Sequence, residues 1–158
     1  MSRPMYEQDK DLYFEGKVKE FIESVTPVTL HKLPIKYGAD FLSVDRETGR
    51  PKSVIECKCR RNMMSSSYPD YRISLHKALT CIQYADAMDA QFLLVVGFAD
   101  RVAVAELNII DLSNVMVFGR TDRDDGDDIE PCVVLPMSKF KWTLSHTPQD
   151  FYVPIVEQ

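Results

Sequence analysis

Gln91 to Phe98 reads Q-F-L-L-V-V-G-F, a nearly unbroken apolar run of strand length. A strand with one wet face alternates apolar and polar residues, so a strand without alternation has to be covered on both faces. That run calls for a sheet with helices packed against it, the α/β class. Two helical patterns supply the cover. From Asp9 to Val25, the residues Phe14, Val18, Phe21, Ile22 and Val25 recur at steps of three and four. Thr26-Pro27 ends this helix, because the residue before a proline is pushed out of the α region. A second helix runs from Ser74, a good N-cap, to about Asp89, with Leu75, Ala78, Leu79, Ile82, Ala85 and Met88 inward.

Further strands are expected at Val28–Leu33, Ala39–Asp45, Ser53–Cys59 and Arg101–Leu107. Arg60 to Tyr71 is a polar linker. After Asn108 the signals weaken to short strands at Val115–Phe118, Cys132–Leu135 and Lys139–Leu144, with an exposed acidic loop at Asp122–Glu130. That loop lacks the ligand spacing and terminal glutamate of an EF-hand. A chain of 158 residues is expected to form one domain, with a core over about residues 12–107 and residues 108–158 as an extension packed on or beside it.

The charges between Asp40 and Lys58 do not belong in an ordinary sheet core. The first strand of the hairpin carries Asp40, and the second carries Glu56 and Lys58 with one residue between them. Burying carboxylates and an ammonium is costly unless they pair or hold a metal. Opposite residues of an antiparallel hairpin have a constant index sum, and their side chains share a face. A loop centred on Thr48 gives a sum of 96 and sets Asp40 opposite Glu56, with Lys58 two residues further on the same face. A two-residue Thr48-Gly49 loop gives 97 and separates the acids. A shared face therefore requires an odd loop, with Gly49 left-handed, or a bulge.

Carboxylates on one face suit Mg²⁺, with Mn²⁺ as a substitute, and the backbone carbonyl of Cys57 can add a ligand between them. The ion lowers the pKa of a bound water and neutralises charge on a phosphodiester, while Lys58 orients the water or stabilises the transition state. Glu15, on the edge of the first helix's buried stripe, can supply a further acid; a solvated helix-face glutamate is the alternative.

The order helix with Glu15, strand, Asp40 strand, Glu56-Cys57-Lys58 strand, helix, buried strand resembles the PD-(D/E)xK nuclease superfamily. Ala39 stands where the family name has proline, whereas Ile55-Glu56-Cys57-Lys58 fits the second half. Gln83 resembles the glutamine found on the following helix in several branches, including phage exonucleases and archaeal junction resolvases. The resemblance covers roughly Leu12 to Leu107. It implies a restriction-endonuclease-like mixed sheet flanked by helices (α-β-β-β-α-β) and a Mg²⁺-dependent DNA nuclease. Asp40 and Glu56 would be metal ligands, Lys58 the catalytic lysine, and Glu15 and Gln83 further catalytic residues. Structure-selective cleavage in recombination, repair or junction processing fits a short chain with no visible recognition domain. A homodimer able to span two strands is compatible with that size. A module that keeps the fold and binds nucleic acid without turnover is the competing reading.

The net charge of −5 opposes a polyanion partner overall, but charge is unevenly spread. Between Arg50 and Lys77 seven Lys/Arg face two acids, a local excess of +5. Arg60, Arg61, Arg72, His76 and Lys77 are the candidate DNA contacts, mainly to backbone phosphates. His76 also lines up with Thr80 and Gln83 on a helix face that can simply be wet. The N-terminus has no apolar signal core and no run is long enough to span a bilayer, so a cytoplasmic location is expected, that of the host if the source is viral. The cysteines Cys57, Cys59, Cys81 and Cys132 are then expected to be reduced thiols, since their spacing is not that of a zinc knuckle.

Overall fold

A computed structural model describes residues 9–34, 38–60, 70–118 and 129–145. The first helix, α1, spans Asp9–Val25, and the strands β1 (Val28–Lys32), β2 (Phe41–Asp45) and β3 (Pro51–Cys59) follow. Next come β4 (Asp70–Ser74), α2 (Leu75–Ala87), β5 (Gln91–Gly97) and β6 (Arg101–Leu107). The chain continues through β7 (Val115–Phe118), β8 (Glu130–Pro136) and β9 (Lys141–Ser145), with 3₁₀ turns at Ile109–Ser113 and Met137–Lys139. The expected α-β-β-β-α-β order is present, with β4 inserted before α2.

Six strands form one mixed sheet in the order β1-β2-β3-β5-β6-β9; β4, β8 and β7 form a second, smaller one. Within the large sheet β3 and β5 run parallel, and the other neighbours are antiparallel. The parallel pair explains the Gln91–Phe98 run. Alternate residues of β5 enter two cores: Phe92, Leu94 and Val96 pack with Ala78, Ile82 and Ala85 of α2, while Val95 packs with Val18 and Ile22 of α1. Covering both faces buries Phe92 and Leu94 to Gly97, at roughly 25 cal/mol per Å² of apolar surface.

Two sequence expectations are revised. Asp70 and Tyr71 belong to a strand rather than a linker: Tyr71 and Ile73 turn inward while Asp70 and Arg72 face water. Only β8, sixty residues later, gives that short alternation a partner. β8 and β9 are not merely laid beside a finished core, since β9 extends the main sheet through β6 and β8 completes the second sheet with β4. The expected linker over residues 61–69 and residues 122–128 of the expected acidic loop lie outside the described residues, while Glu130, the last residue of that loop, begins β8.

From Ser43 to Phe41 the β2–β3 register has the expected even sum, by the second of the two routes. Asp45 donates its N–H to the Arg50 carbonyl at 2.9 Å, so the loop proper holds four residues. The Asp45 carboxylate accepts the N–H groups of Glu47 and Thr48, and Gly49 sits at φ 72°, left-handed as expected. Val44 pairs with Pro51, an index sum of 95, but Ser43 pairs with Ser53, Leu42 with Val54 and Phe41 with Ile55, all 96. A bulge between the two registers takes up Lys52 and restores the even sum. The Ser43 and Ser53 hydroxyls, both buried, hydrogen-bond each other beside it, which satisfies two polar groups in the core.

Candidate active site

β2 begins at Phe41, so beyond Ile55 the β3 edge loses its backbone partner, and the Asp40 side chain takes over. The Asp40 N–H donates to the Ile55 carbonyl at 2.9 Å, and its Oδ2 accepts the Cys57 N–H at 2.7 Å. In a strand the N–H and carbonyl of one residue point to the same edge, so the Cys57 carbonyl is directed toward Asp40 as well. Gly38, left-handed at φ 74°, turns the chain into this position, and its carbonyl is contacted by the Cys81 thiol of α2. Ala39 is buried in the α2-side core.

Glu56 follows Ile55 on the opposite face, where α2 lies. Its side chain is only 2% exposed. Oε1 meets two ammoniums, Lys77 Nζ at 3.1 Å and Lys58 Nζ at 3.5 Å. Oε2 is buried with no hydrogen-bond partner among the described residues. Burial, then the Asp40 charge, pushes its pKa up to about 7 against the pull of the two lysines. From α1, Glu15 reaches Lys32 Nζ at 2.9 Å, and that ammonium also stands 3.7 Å from Asp40 Oδ1. Burial and the neighbouring Asp40 raise Glu15 to about 7 too. Burial opposes the charge of Lys77, but Glu56 more than offsets it and its pKa ends above the usual value.

The structure thus brings Glu15, Asp40, Glu56 and Lys58 close to one another through shared ion pairs and charge effects. It also adds two lysines. Lys77, read above as a phosphate contact, is turned into the acids from the first turn of α2, where the Ser74 cap fixes the start of the helix. Lys32 carried no signal alone. It becomes visible only through the β1–β2 register, which pairs it with Phe41 and so sets it beside Asp40. Gln83 and His76 stand exposed on the outer side of α2 and are not brought to the acids. Arg60 is exposed with its guanidinium 5.1 Å from the Tyr71 ring centre, and Arg72 stacks on Phe118 at 3.7 Å. Arg61 lies outside the described residues.

Beside Asp40, Glu56 keeps one oxygen buried without a hydrogen-bond partner among the described residues, and burial and the Asp40 charge raise its pKa. A divalent ion fits that donor set: oxygen ligands, partly dry, with a carbonyl aimed inward. Among the described residues no three Asp, Glu, His or Cys side chains close into a ligand set, so Asp40 and Glu56 are the carboxylate pair available. No described helix is long and apolar enough to cross a membrane.

Comparison with known proteins agrees with the motif. A family model described as "Phage putative PDDEXK endonuclease" matches residues 1–143. No curated protein sequence matches the chain. Among solved structures, Hjc of Archaeoglobus fulgidus, a Holliday junction resolvase from an archaeal hyperthermophile, has the same fold, with a TM-score of 0.52 and 13% identity over 82% of this chain and 86% of that one. Its fold and its match over nine-tenths of the sequence identify the chain as a member of the phage PD-(D/E)xK endonuclease family.

Proposed function

We propose that the protein is a divalent-metal-dependent DNA endonuclease acting on branched DNA. The observation that carries the reading is Glu56: a carboxylate nearly sealed from water, its pKa raised by burial and by the Asp40 charge, with one oxygen lacking a hydrogen-bond partner among the described residues. Asp40, Glu56 and the Cys57 carbonyl would hold Mg²⁺, or Mn²⁺ in its place. When bound, the ion would lower the pKa of a water and neutralise charge on the scissile phosphate.

The protein's own groups do the rest. The Cys57 N–H fixes the Asp40 carboxylate, and Lys77 fixes Oε1 of Glu56, leaving Oε2 for the ion. Lys58 is 40% exposed while touching the same Oε1, so it spans the acids and solvent. A phosphodiester entering there meets its ammonium, which stabilises the negative charge that grows on the phosphoryl oxygens. Arg60 and Arg72, exposed on the approach from β3 and β4, suit backbone phosphates.

The preference for branched DNA rests on the fold shared with a junction resolvase. A junction offers two strands to cut, so a homodimer is the assembly this reading asks for, and the cytoplasm of an infected cell is where the substrate would lie. The test is incubation of four-way and linear duplex DNA with Mg²⁺, Mn²⁺ or EDTA, using wild type, Glu56→Gln and Lys58→Ala. Metal-dependent cutting of the four-way substrate, lost in both variants, supports the proposal. Tight DNA binding with no cut in either metal would show a binding module instead, and equal cutting of linear duplex removes the branch preference.

A further inference from the structure

Lys32 has no part in the reading above, yet it is bound into the site more firmly than a surface lysine needs to be. Its strand position is set by pairing with Phe41, and Leu33 next to it donates its N–H to the Asp40 carbonyl at 2.8 Å. Its ammonium lies 5.7 Å from the Phe41 ring centre, 2.9 Å from Glu15 Oε2 as an ion pair without hydrogen-bond alignment, and 3.7 Å from Asp40 Oδ1. One cation therefore bridges two carboxylates from different elements. One of these, Asp40, also accepts the N–H of Cys57, the neighbour of Glu56.

That is the bridging arrangement a second metal ion would need. Two-metal phosphodiesterases place their ions roughly 4 Å apart and share a carboxylate between them. Here the shared acid would be Asp40, and the second ion's remaining ligand would be Glu15. The Lys32 ammonium already stands between those two groups. Building on the metal-nuclease reading, we infer that Lys32 is a fixed cation in the second-ion position, so that the protein takes one divalent ion and uses Glu15 to hold the lysine rather than a metal.

Charge supports this. Glu15, Asp40 and Glu56 face Lys32, Lys58 and Lys77, three ammoniums against three carboxylates. One dication already gives the site an excess that a phosphate can balance. A second would have to enter against three lysines and displace one of them, at a Coulomb cost that grows as the site dries.

Calorimetric titration with Mn²⁺, with free ion followed by electron paramagnetic resonance, tests the inference without DNA or turnover. Wild type and Lys32→Arg are expected to bind one ion per chain. Lys32→Met frees Glu15 and Asp40 and gains a second ion, and Lys32→Met combined with Glu15→Gln returns to one. Glu15→Gln alone keeps one ion, which covers the case in which Lys32→Met does not fold. Two ions on wild type, or a wild-type stoichiometry that drops with Glu15→Gln, would overturn the inference and leave the metal site standing. A folded Lys32→Met that still binds one ion also overturns it. Absence of any bound ion on wild type removes both the inference and the metal reading.

Discussion

Replacing Glu56 by glutamine should change how the metal-free protein responds to pH. In the folded chain the Glu56 carboxyl is raised from 4.5 to about 7, first by burial and then by Asp40. Between those values the folded state keeps the proton and the unfolded state has released it. Folding then binds a proton, and stability falls as pH rises from 4.5 to about 7. At about 1.4 kcal/mol per unit, the carboxyl removes about 3 kcal/mol across that window. Glutamine does not titrate. Urea unfolding in EDTA at a series of pH values from 4.5 to 8 measures the effect. The stability of Glu56→Gln minus that of wild type should grow by about 3 kcal/mol over the series and then level off. The absolute offset also contains the loss of Lys77's partner, so the change with pH is the quantity to read. Mg²⁺ should shrink the difference above pH 7 by binding only the wild-type carboxylate. Parallel curves in EDTA would refute the argument that burial and the Asp40 charge hold the proton on Glu56.

Lys58→Ala should lower cleavage of branched DNA by roughly 10²- to 10³-fold, the range for loss of one group that stabilises transition-state charge, while a Mn²⁺ titration shows the ion still bound. Gly38→Ala and Gly49→Ala both force an alanine to a positive φ, at a cost of about 1 to 2 kcal/mol in a thermal melt. Only Gly38→Ala, two residues from Asp40, should also weaken Mn²⁺ affinity; equal affinities would show that Gly38 does not aim the carboxylate. Tyr71→Phe should leave stability unchanged or raise it by about 1 kcal/mol, because the Tyr71 hydroxyl is buried with no partner among the described residues. Chemical denaturation showing a clear loss would point to a hydrogen bond at that hydroxyl.

The sequence made the site legible wherever a local rule carried the information. The β2–β3 hairpin is local, so its turn and one bulge set the register, and the expected index sum of 96 is found from Ser43–Ser53 to Phe41–Ile55. The Q-F-L-L-V-V-G-F run told of its two covered faces because both covers act on consecutive residues of one strand. Lys32 was silent because a lysine ending a short edge strand looks like any solvated charge until β1 is registered on β2. Lys77 was misleading for a related reason. A polar residue in the first turn of a helix usually points to water, and only the packing of α2 across β3 turns this one to Glu56. β4 could not be seen because its partner β8 comes after residues 108–129, and no local pattern announces a pairing that distant.

The bulge at Lys52 has one more consequence. It stores a single residue of slack between the turn and the acids. If Lys52 is lost, Val44–Pro51 and Ser43–Ser53 become consecutive rungs, the ladder straightens, and Phe41 still pairs with Ile55. A hairpin without that reserve would answer the same deletion by turning its carboxylates to opposite faces. This loop can therefore drift in length by one residue while the distance relations among Asp40, Glu56 and Lys58 stay as they are.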